Sequence, residues 1–269
     1  MNIETRPKFT LIICSCDKYY DTWEPLFFLI KKYWTKLNAP IILNTETKSF
    51  KYEGFNIFCP QIYKNYTNPY NVPWSRRLKE TLVKFVETEF VLLFLDDFFL
   101  RSKVKNDRLE ICLQKMNNDN NIANITLFSC PPPFTPSVET PWLVHRSKQA
   151  PYLFNLQAGL WRTNRLTKFL RDHESPWYFE RWGSIRAKRY TDNFYGVQPI
   201  RNKEAIFDYD PTKHGITKGK WKTDTKFLFI DEGIDLDITL RGEIGNNYKS
   251  TSKRNWPRTI WNIYKSLKP

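Results

Sequence analysis

Apolar and polar positions change period several times along the chain, and each change marks an element. Phe9 to Cys16 (FTLIICSC) reads as a buried strand. A helix follows from about Thr22 to Leu37, and Asp21 with Glu24 has the Asp-x-x-Glu spacing of a capping box. The runs PIILN (40–44) and NIFCP (56–60) are short strands with a turn around Gly54. Leu78, Leu82, Phe85 and Val86 recur at helical spacing within Ser75 to Glu87, and the strand Phe90 to Leu95 comes next. Beyond it the pattern predicts a helix over Asn106 to Met116, a strand over Ile122 to Phe128 and another over 154–161 (FNLQAGLW). Thr163 would cap a helix running to about Asp172. Residues 129–142 (SCPPPFTPSVETPW) read as a Pro-rich loop, and no internal repeat is present. Strands alternating with helices predict an α/β fold: a mostly parallel sheet of six or more strands flanked by helices, with a less regular second half.

Composition narrows the class. A chain of 269 residues with 41% hydrophobic content suffices for one large α/β domain or two small ones. Lys and Arg total 42 against 28 acids, a net charge of +14. Part of that excess fits a general Lys/Asn bias. The rest implies an anionic partner: nucleic acid, a phosphorylated substrate or an anionic membrane face. The basic residues are dispersed and no RNA- or DNA-binding motif occurs, so nucleic acid is not expected. The five cysteines, Cys14, Cys16, Cys59, Cys112 and Cys130, form neither a CxxC pair nor a metal-ligand spacing. They fit reduced thiols in a cytoplasmic protein. The start MNIETRPK carries no signal-peptide core, and no apolar run approaches the ~20 residues of a spanning helix. The sequons at Asn65 and Asn124 are then not expected to be glycosylated.

The stretch VLLFLDDFFL (91–100) raises the chemical question, because adjacent carboxylates between apolar runs are costly unless paired or bound to a metal. Asx hydrogen bonds in a turn would explain one of Asp96 and Asp97 better than both. A divalent cation would remove their mutual repulsion, and oxygen-only ligation suits Mg²⁺ or Mn²⁺. In a parallel sheet ligands bind beyond the carboxyl ends of the strands. Three features converge there: Ser15-Cys16-Asp17, Asp96-Asp97, and WSRRL (74–78). In the last, Ser75 would cap a helix whose first turn carries Arg76 and Arg77. Such cations oppose the helix dipole unless a phosphate is bound; otherwise they point to solvent.

From its first strand through LLFLDDFF the chain resembles the nucleotide-sugar half of a GT-A glycosyltransferase, of the bacterial surface-polysaccharide (lipopolysaccharide or capsule) kind. The resemblance implies one GT-A-like domain: residues 1–104 hold the nucleotide-sugar, 105–250 the acceptor, and 251–269 form a basic C-terminal helix. It implies Mn²⁺ or Mg²⁺ on the diphosphate, with Asp97 as direct ligand and Asp96 touching the metal, the ribose or the donor sugar. Asp17 would contact the nucleobase or ribose, and Ser15 belongs to the same donor site. The chain has Asp-Asp where the family has Asp-x-Asp. NLQAGLW (155–161) and ESPWYFERWGS (174–184) are similar to the acceptor half, and HGITKGKW (214–221) to a segment closing over the diphosphate. That likeness makes His214 a metal ligand and Lys218 and Lys220 phosphate contacts; an exposed basic turn is the other reading. An inverting transferase needs a carboxylate base, for which Glu180 and Glu174 are the candidates. Glu180 stands among Trp177, Phe179 and Trp182, which could stack a sugar; the competing reading pairs it with Arg181 or Arg186. The implied reaction moves a sugar, from UDP by preference, to a glycan or lipid-linked glycan. A phosphoryl or nucleotidyl transferase also uses paired acids, but no GxxxxGK[ST] loop is present.

The C-terminal segment KRNWPRTIWNIYKSLKP (253–269) adds a location. Pro257 suits a helix first turn. Ile260, Trp261, Ile263, Tyr264 and Leu267 can share a face ringed by Lys253, Arg254, Arg258, Lys265 and Lys268. Such a helix either lies in an anionic membrane interface, on the inner face of the plasma membrane, or packs its apolar face on the core.

Overall fold

The computed structural model describes residues 7–198, 205–235, 237–245 and 256–268, with side chains of the last helix from Ile260 onward. Lys253 and Arg254, and the side chain of Arg258, lie outside the described residues.

The fold is mixed α/β, with a nine-stranded sheet flanked by helices. β1 (Phe9–Cys14), α1 (Trp23–Tyr33), β2 (Ile41–Asn44), β3 (Ile57–Phe58), α2 (Trp74–Phe85) and β4 (Phe90–Leu95) build its first half. α3 (Asn106–Asn118), β5 (Ile122–Ser129), β6 (Phe134–Pro136), β7 (Leu143–Arg146), β8 (Gly159–Arg162) and α4 (Thr163–Phe169) follow. α5 (Pro176–Tyr178), a π-helical turn (Phe179–Gly183) and α6 (Ser184–Ala187) lead to β9 (Asn193–Val197). The sheet order is β3-β2-β1-β4-β8-β5-β9-β7-β6. Only β8 and β7 run against the other strands of this sheet. A smaller sheet joins β10 (Ile216–Thr217), β11 (Lys220–Lys222) and β12 (Glu243–Ile244), with α7 (Thr223–Glu232) between the last two. α8 (Trp256–Leu267) closes the described chain.

The unbroken apolar runs follow from burial on both faces. Leu11, Ile13, Leu92 and Phe94 enter a core with α1, α3 and the aromatic residues Phe207, Tyr209 and Trp221. Their alternates Ile12, Cys14, Val91 and Leu93 enter a second core with Leu78, Phe154, Trp161, Phe169 and Phe179. All five cysteines are free, and Asn124 is buried in β5, its amide donating to the Leu160 carbonyl at 3.0 Å.

Several expected elements end elsewhere. Residues 17–22 form a 3₁₀ helix before α1, so no capping box forms; Asp21 is instead ion-paired with Arg241. The strand expected over 154–161 begins only at Gly159, because Asn155 and Gln157 bend to line a cavity. The Pro-rich loop contains β6, an edge strand, where prolines are tolerated. No described helix is long and apolar enough to cross a membrane.

Candidate active site at the carboxyl edge of the sheet

β1 and β4 are parallel neighbours in register from Phe9↔Phe90 to Cys14↔Leu95. Their next residues, Ser15 and Asp96, therefore emerge side by side, and Ser15 Oγ donates to Asp96 Oδ2. Ser15 Oγ in turn accepts from Trp23 Nε1 at 2.7 Å, which fixes its direction. Asp96 is 7% exposed. Burial, then the neighbouring Asp97 charge, push its pKa well above the usual carboxylate range, against the Ser15 hydrogen bond and Arg241. Asp97 is also pushed up by burial, opposed by the Ile216 amide and Lys222. Its Oδ2 accepts from Ile216 N at 3.1 Å.

The partner of Asp97 lies in the segment HGITKGKW, which forms a hairpin. β10 and β11 pair through a turn at Lys218 (φ 52°) and Gly219 (φ 76°), the positive-φ pattern of a type I′ hairpin. Gly215, before the hairpin, packs so closely that a Cβ there would meet Asp97 Oδ2 at 2.7 Å. The base of this segment, at Gly215 and Ile216, lies against Asp97. Lys218 and Lys220 sit exposed at the far end, so neither is the cation beside Asp97; that is Lys222, half-buried on β11. His214 is half-buried with Nδ1 lacking a hydrogen-bond partner. Burial lowers its pKa, with Arg101 acting in the same direction. Among the described residues no three His, Cys, Asp or Glu side chains converge as a metal cluster, so His214 does not join Asp96 and Asp97.

Other sequence candidates have structural partners. Asp17 Oδ1 accepts from the amides of Glu46, Thr47 and Lys48 at 3.1–3.2 Å, and Oδ2 from Thr47 Oγ1 at 2.6 Å. Burial alone would raise its pKa, but these bonds hold it below the usual value. Its acceptor capacity goes to shaping the 46–48 loop. That loop lines a groove of about 730 Å³ with Tyr20, Trp23 and Gln61.

Ser75 does not cap α2, which starts at Trp74 without a side-chain cap. Its Oγ donates to the carbonyls of Arg171 and Glu174, and its amide donates to Glu174 O at 3.2 Å. Arg76 is paired outside with Glu80 at 3.1 Å, and Arg77 is buried against Glu46. The first turn of α2 is thus engaged by protein rather than open to phosphate. Glu174 is fully buried and bidentate with Arg186, at 2.6 and 3.0 Å, which leaves it no access to a substrate proton.

Glu180 is different. Arg186 is committed to Glu174, and Arg181 stacks on Trp182 at 5.0 Å. Glu180 Oε1 accepts from Leu156 N at 2.8 Å, and burial raises its pKa. It lines a cavity of about 260 Å³ with Thr126, Tyr152, Asn155 and Gln157. Of its aromatic sequence neighbours, Trp177 is 76% exposed, Phe179 enters the core and Trp182 lies under Arg181; none of the three lines this cavity. Tyr152 is the aromatic residue at the cavity. Tyr209 joins this cavity to the acidic pair. Its ring stacks on Phe98 at 4.2 Å, one residue past Asp97, and its hydroxyl donates to Gln157 Oε1 at 2.9 Å. The same hydroxyl accepts from Ala158 N at 2.9 Å.

Sequence reasoning missed Lys222, Tyr209 and Arg241. Arg241 holds Asp21 through Nε at 2.6 Å and lies over Tyr19 at 4.6 Å. None of the three has a local motif; each matters because a distant segment folds back on the acidic pair. Gln157 was legible only as part of NLQAGLW.

No protein-family model matches the chain. No curated protein matches its sequence. Among solved structures, CMP:2-keto-3-deoxy-manno-octonic acid synthetase in complex with CTP is similar, with a TM-score of 0.40 and 15% sequence identity over 71% of this chain and 89% of that one.

Proposed function

We propose that the protein is a metal-dependent glycosyltransferase that moves a sugar from a nucleotide-diphospho-sugar, UDP-linked by preference, to a glycan or lipid-linked glycan. The observation that carries this reading is the pairing of two sites along one sheet edge. A carboxylate pair, Asp96 buried and Asp97 partly buried, stands beside a polar cavity containing a carboxylate without a cation partner among the described residues, and the side chain of Tyr209 spans the two. Two adjacent acids with raised pKa values, and no third side-chain ligand among the described residues, fit Mn²⁺ or Mg²⁺ completed by substrate oxygens. The metal would neutralise charge developing on the departing diphosphate. Asp97 and Asp96 would hold it, and Lys222 would sit beside the diphosphate. The nucleoside would occupy the groove beside the 46–48 loop.

Glu180 would take the proton from the acceptor hydroxyl. Its Oε1 is oriented by the Leu156 amide, and desolvation makes it a stronger base than a surface glutamate. Asn155, Gln157 and Tyr152 would bind acceptor hydroxyls. A base on the acceptor side implies inversion at the anomeric carbon.

Nucleotide release from a panel of nucleotide-sugars, with Mn²⁺, Mg²⁺ or EDTA, tests the reading. Release should require the metal and an acceptor. Glu180→Gln should lower kcat by about 10²–10⁴-fold with donor Kd little changed. For the wild type, kcat/KM should fall on the acid side at a pH above the ordinary glutamate value of 4.5, since the base must be deprotonated and burial raises its pKa. Full turnover in EDTA would reject the metal. Pyrophosphate release from a nucleoside triphosphate would move the assignment to nucleotidyl transfer.

A further inference from the structure

α8 was expected either to pack its apolar face on the core or to leave it outward, and the structure divides that face. The helix is held to the body by polar bonds. His173 Nε2 lies 3.0 Å from Ser266 Oγ and 3.3 Å from Asn262 O. Arg186 donates to the Ser266 carbonyl, and Arg189 Nη1 donates to Leu267 O at 2.8 Å. Ile263 and Leu267 turn partly inward with them. Trp261, Tyr264, Lys265 and Lys268, at i, i+3, i+4 and i+7, share the opposite face and are all exposed. Ile260 is 61%, Trp261 56% and Tyr264 56% exposed. Trp261 and Tyr264 stack at 5.7 Å, with Lys265 Nζ 5.2 Å from the indole. Arg181, Lys188 and Arg189 of the body are exposed as well, Arg189 at the C-terminal end of the helix through Leu267, and so is Trp177.

Large apolar side chains exposed beside one another mark an interaction surface. The charge selects the partner. No acid occurs from residue 246 to 269, whereas Lys249, Lys253, Arg254, Arg258, Lys265 and Lys268 do. Stacked Trp and Tyr flanked by Lys, on a helix fixed along its other side, match a lipid headgroup boundary: rings reach the acyl region and ammonium groups reach phosphates. We propose that the outer face of α8 is a docking surface for an anionic membrane, with Ile260, Trp261 and Tyr264 as the inserted residues and Lys265 and Lys268 as the phosphate contacts. This surface does not depend on the transferase reading.

The test is co-sedimentation of the full chain with phosphatidylcholine vesicles, with and without phosphatidylglycerol. Binding should require phosphatidylglycerol and weaken with added salt. Ile260→Ser/Trp261→Ser/Tyr264→Ser and, separately, Lys265→Glu/Lys268→Glu should each lower the partition coefficient about tenfold or more. Both should keep an unfolding midpoint close to the wild type, since among the described residues none of these side chains is hydrogen-bonded or ion-paired to the body. Brominated phosphatidylglycerol should quench tryptophan emission of the unaltered protein. Truncation of α8 is a poor substitute, because it also strips the Ser266 contacts from Arg186. Absence of quenching, or undiminished vesicle binding by either variant, overturns the proposal. So does a dimer in sedimentation velocity that the triple variant dissociates, which would show a second copy covering the face.

Discussion

Two carboxylates carry the sharpest prediction at the scale of single residues. Asp96 and Asp97 are held in the protein with pKa values above the ordinary 3.8. Below 3.8 both native and unfolded chains hold the protons. Between 3.8 and the raised native values the native state keeps protons that the unfolded chain has lost. Stability therefore falls as pH rises through this window, and the penalty persists at neutral pH. Under the proposed function Mn²⁺ would bind the ionised pair, so it should raise the unfolding midpoint at pH 7 and have little effect near pH 4. Asp97→Asn should leave metal-free protein at least as stable as wild type at pH 7, abolish the Mn²⁺ shift, and lower turnover by about a hundredfold or more. Thermal scans across pH with and without Mn²⁺ check this; a midpoint indifferent to Mn²⁺ at pH 7 would remove the metal site.

The hairpin β10–β11 separates two glycine roles at the scale of elements. Gly215 (φ 94°) and Gly219 (φ 76°) both have backbone that side chains disfavour. A Cβ at Gly219 meets nothing within 4 Å, whereas one at Gly215 meets the Asp97 carboxylate. Gly219→Ala should cost about 1–2 kcal/mol of local strain and leave activity near normal. Gly215→Ala should in addition push the hairpin off Asp97, break the hydrogen bond from the Ile216 amide to Asp97 and depress the proposed metal-dependent turnover. Comparing unfolding midpoints and turnover of the two variants separates strain from site damage. Elements were also where the sequence was most legible. β1, β4 and α2 announced themselves because two-sided burial and helical spacing leave long regular patterns. The acids after β4 were legible for the same reason, as charge interrupting an apolar run. Ser75 and Glu174 were misread because their partners, the Arg171 carbonyl and Arg186, are distant in sequence or indistinguishable from other arginines. Arg241 and Tyr209 were invisible for that reason: contacts across 220 positions, to Asp21, and 52 positions, to Gln157, leave no local period.

Glu174 is a keystone at the scale of the whole molecule. Its carbonyl accepts from the first turn of α2, and its carboxylate holds Arg186, which in turn reaches the carbonyls of Phe169 and Ser266. Four segments therefore meet around one buried ion pair. Such a pair adds little net stability over an apolar substitute, but removing one partner strands the other. Arg186→Leu should destabilise the fold by about 3–5 kcal/mol, measured by chemical denaturation. Glu174→Gln should be damaging in stability while leaving the pH profile of any surviving activity unshifted, unlike Glu180→Gln.

β8 runs against β4 and β5, on either side of it. A reversed strand presents its beginning where its neighbours present their ends. The segment leading into β8, with Asn155 and Gln157, is thereby delivered to the rim where β1 and β4 deliver their serine and aspartates. Ser15, Asp96 and Asp97 are tied to strand ends whose positions the sheet dictates. The segment before β8 is a connection whose length the sheet leaves open. Under the proposed function, residues 147–157 could therefore be lengthened, shortened or rewritten to change which acceptor is received, while the carboxylate pair stays put. The reversal would then make acceptor specificity an interchangeable part.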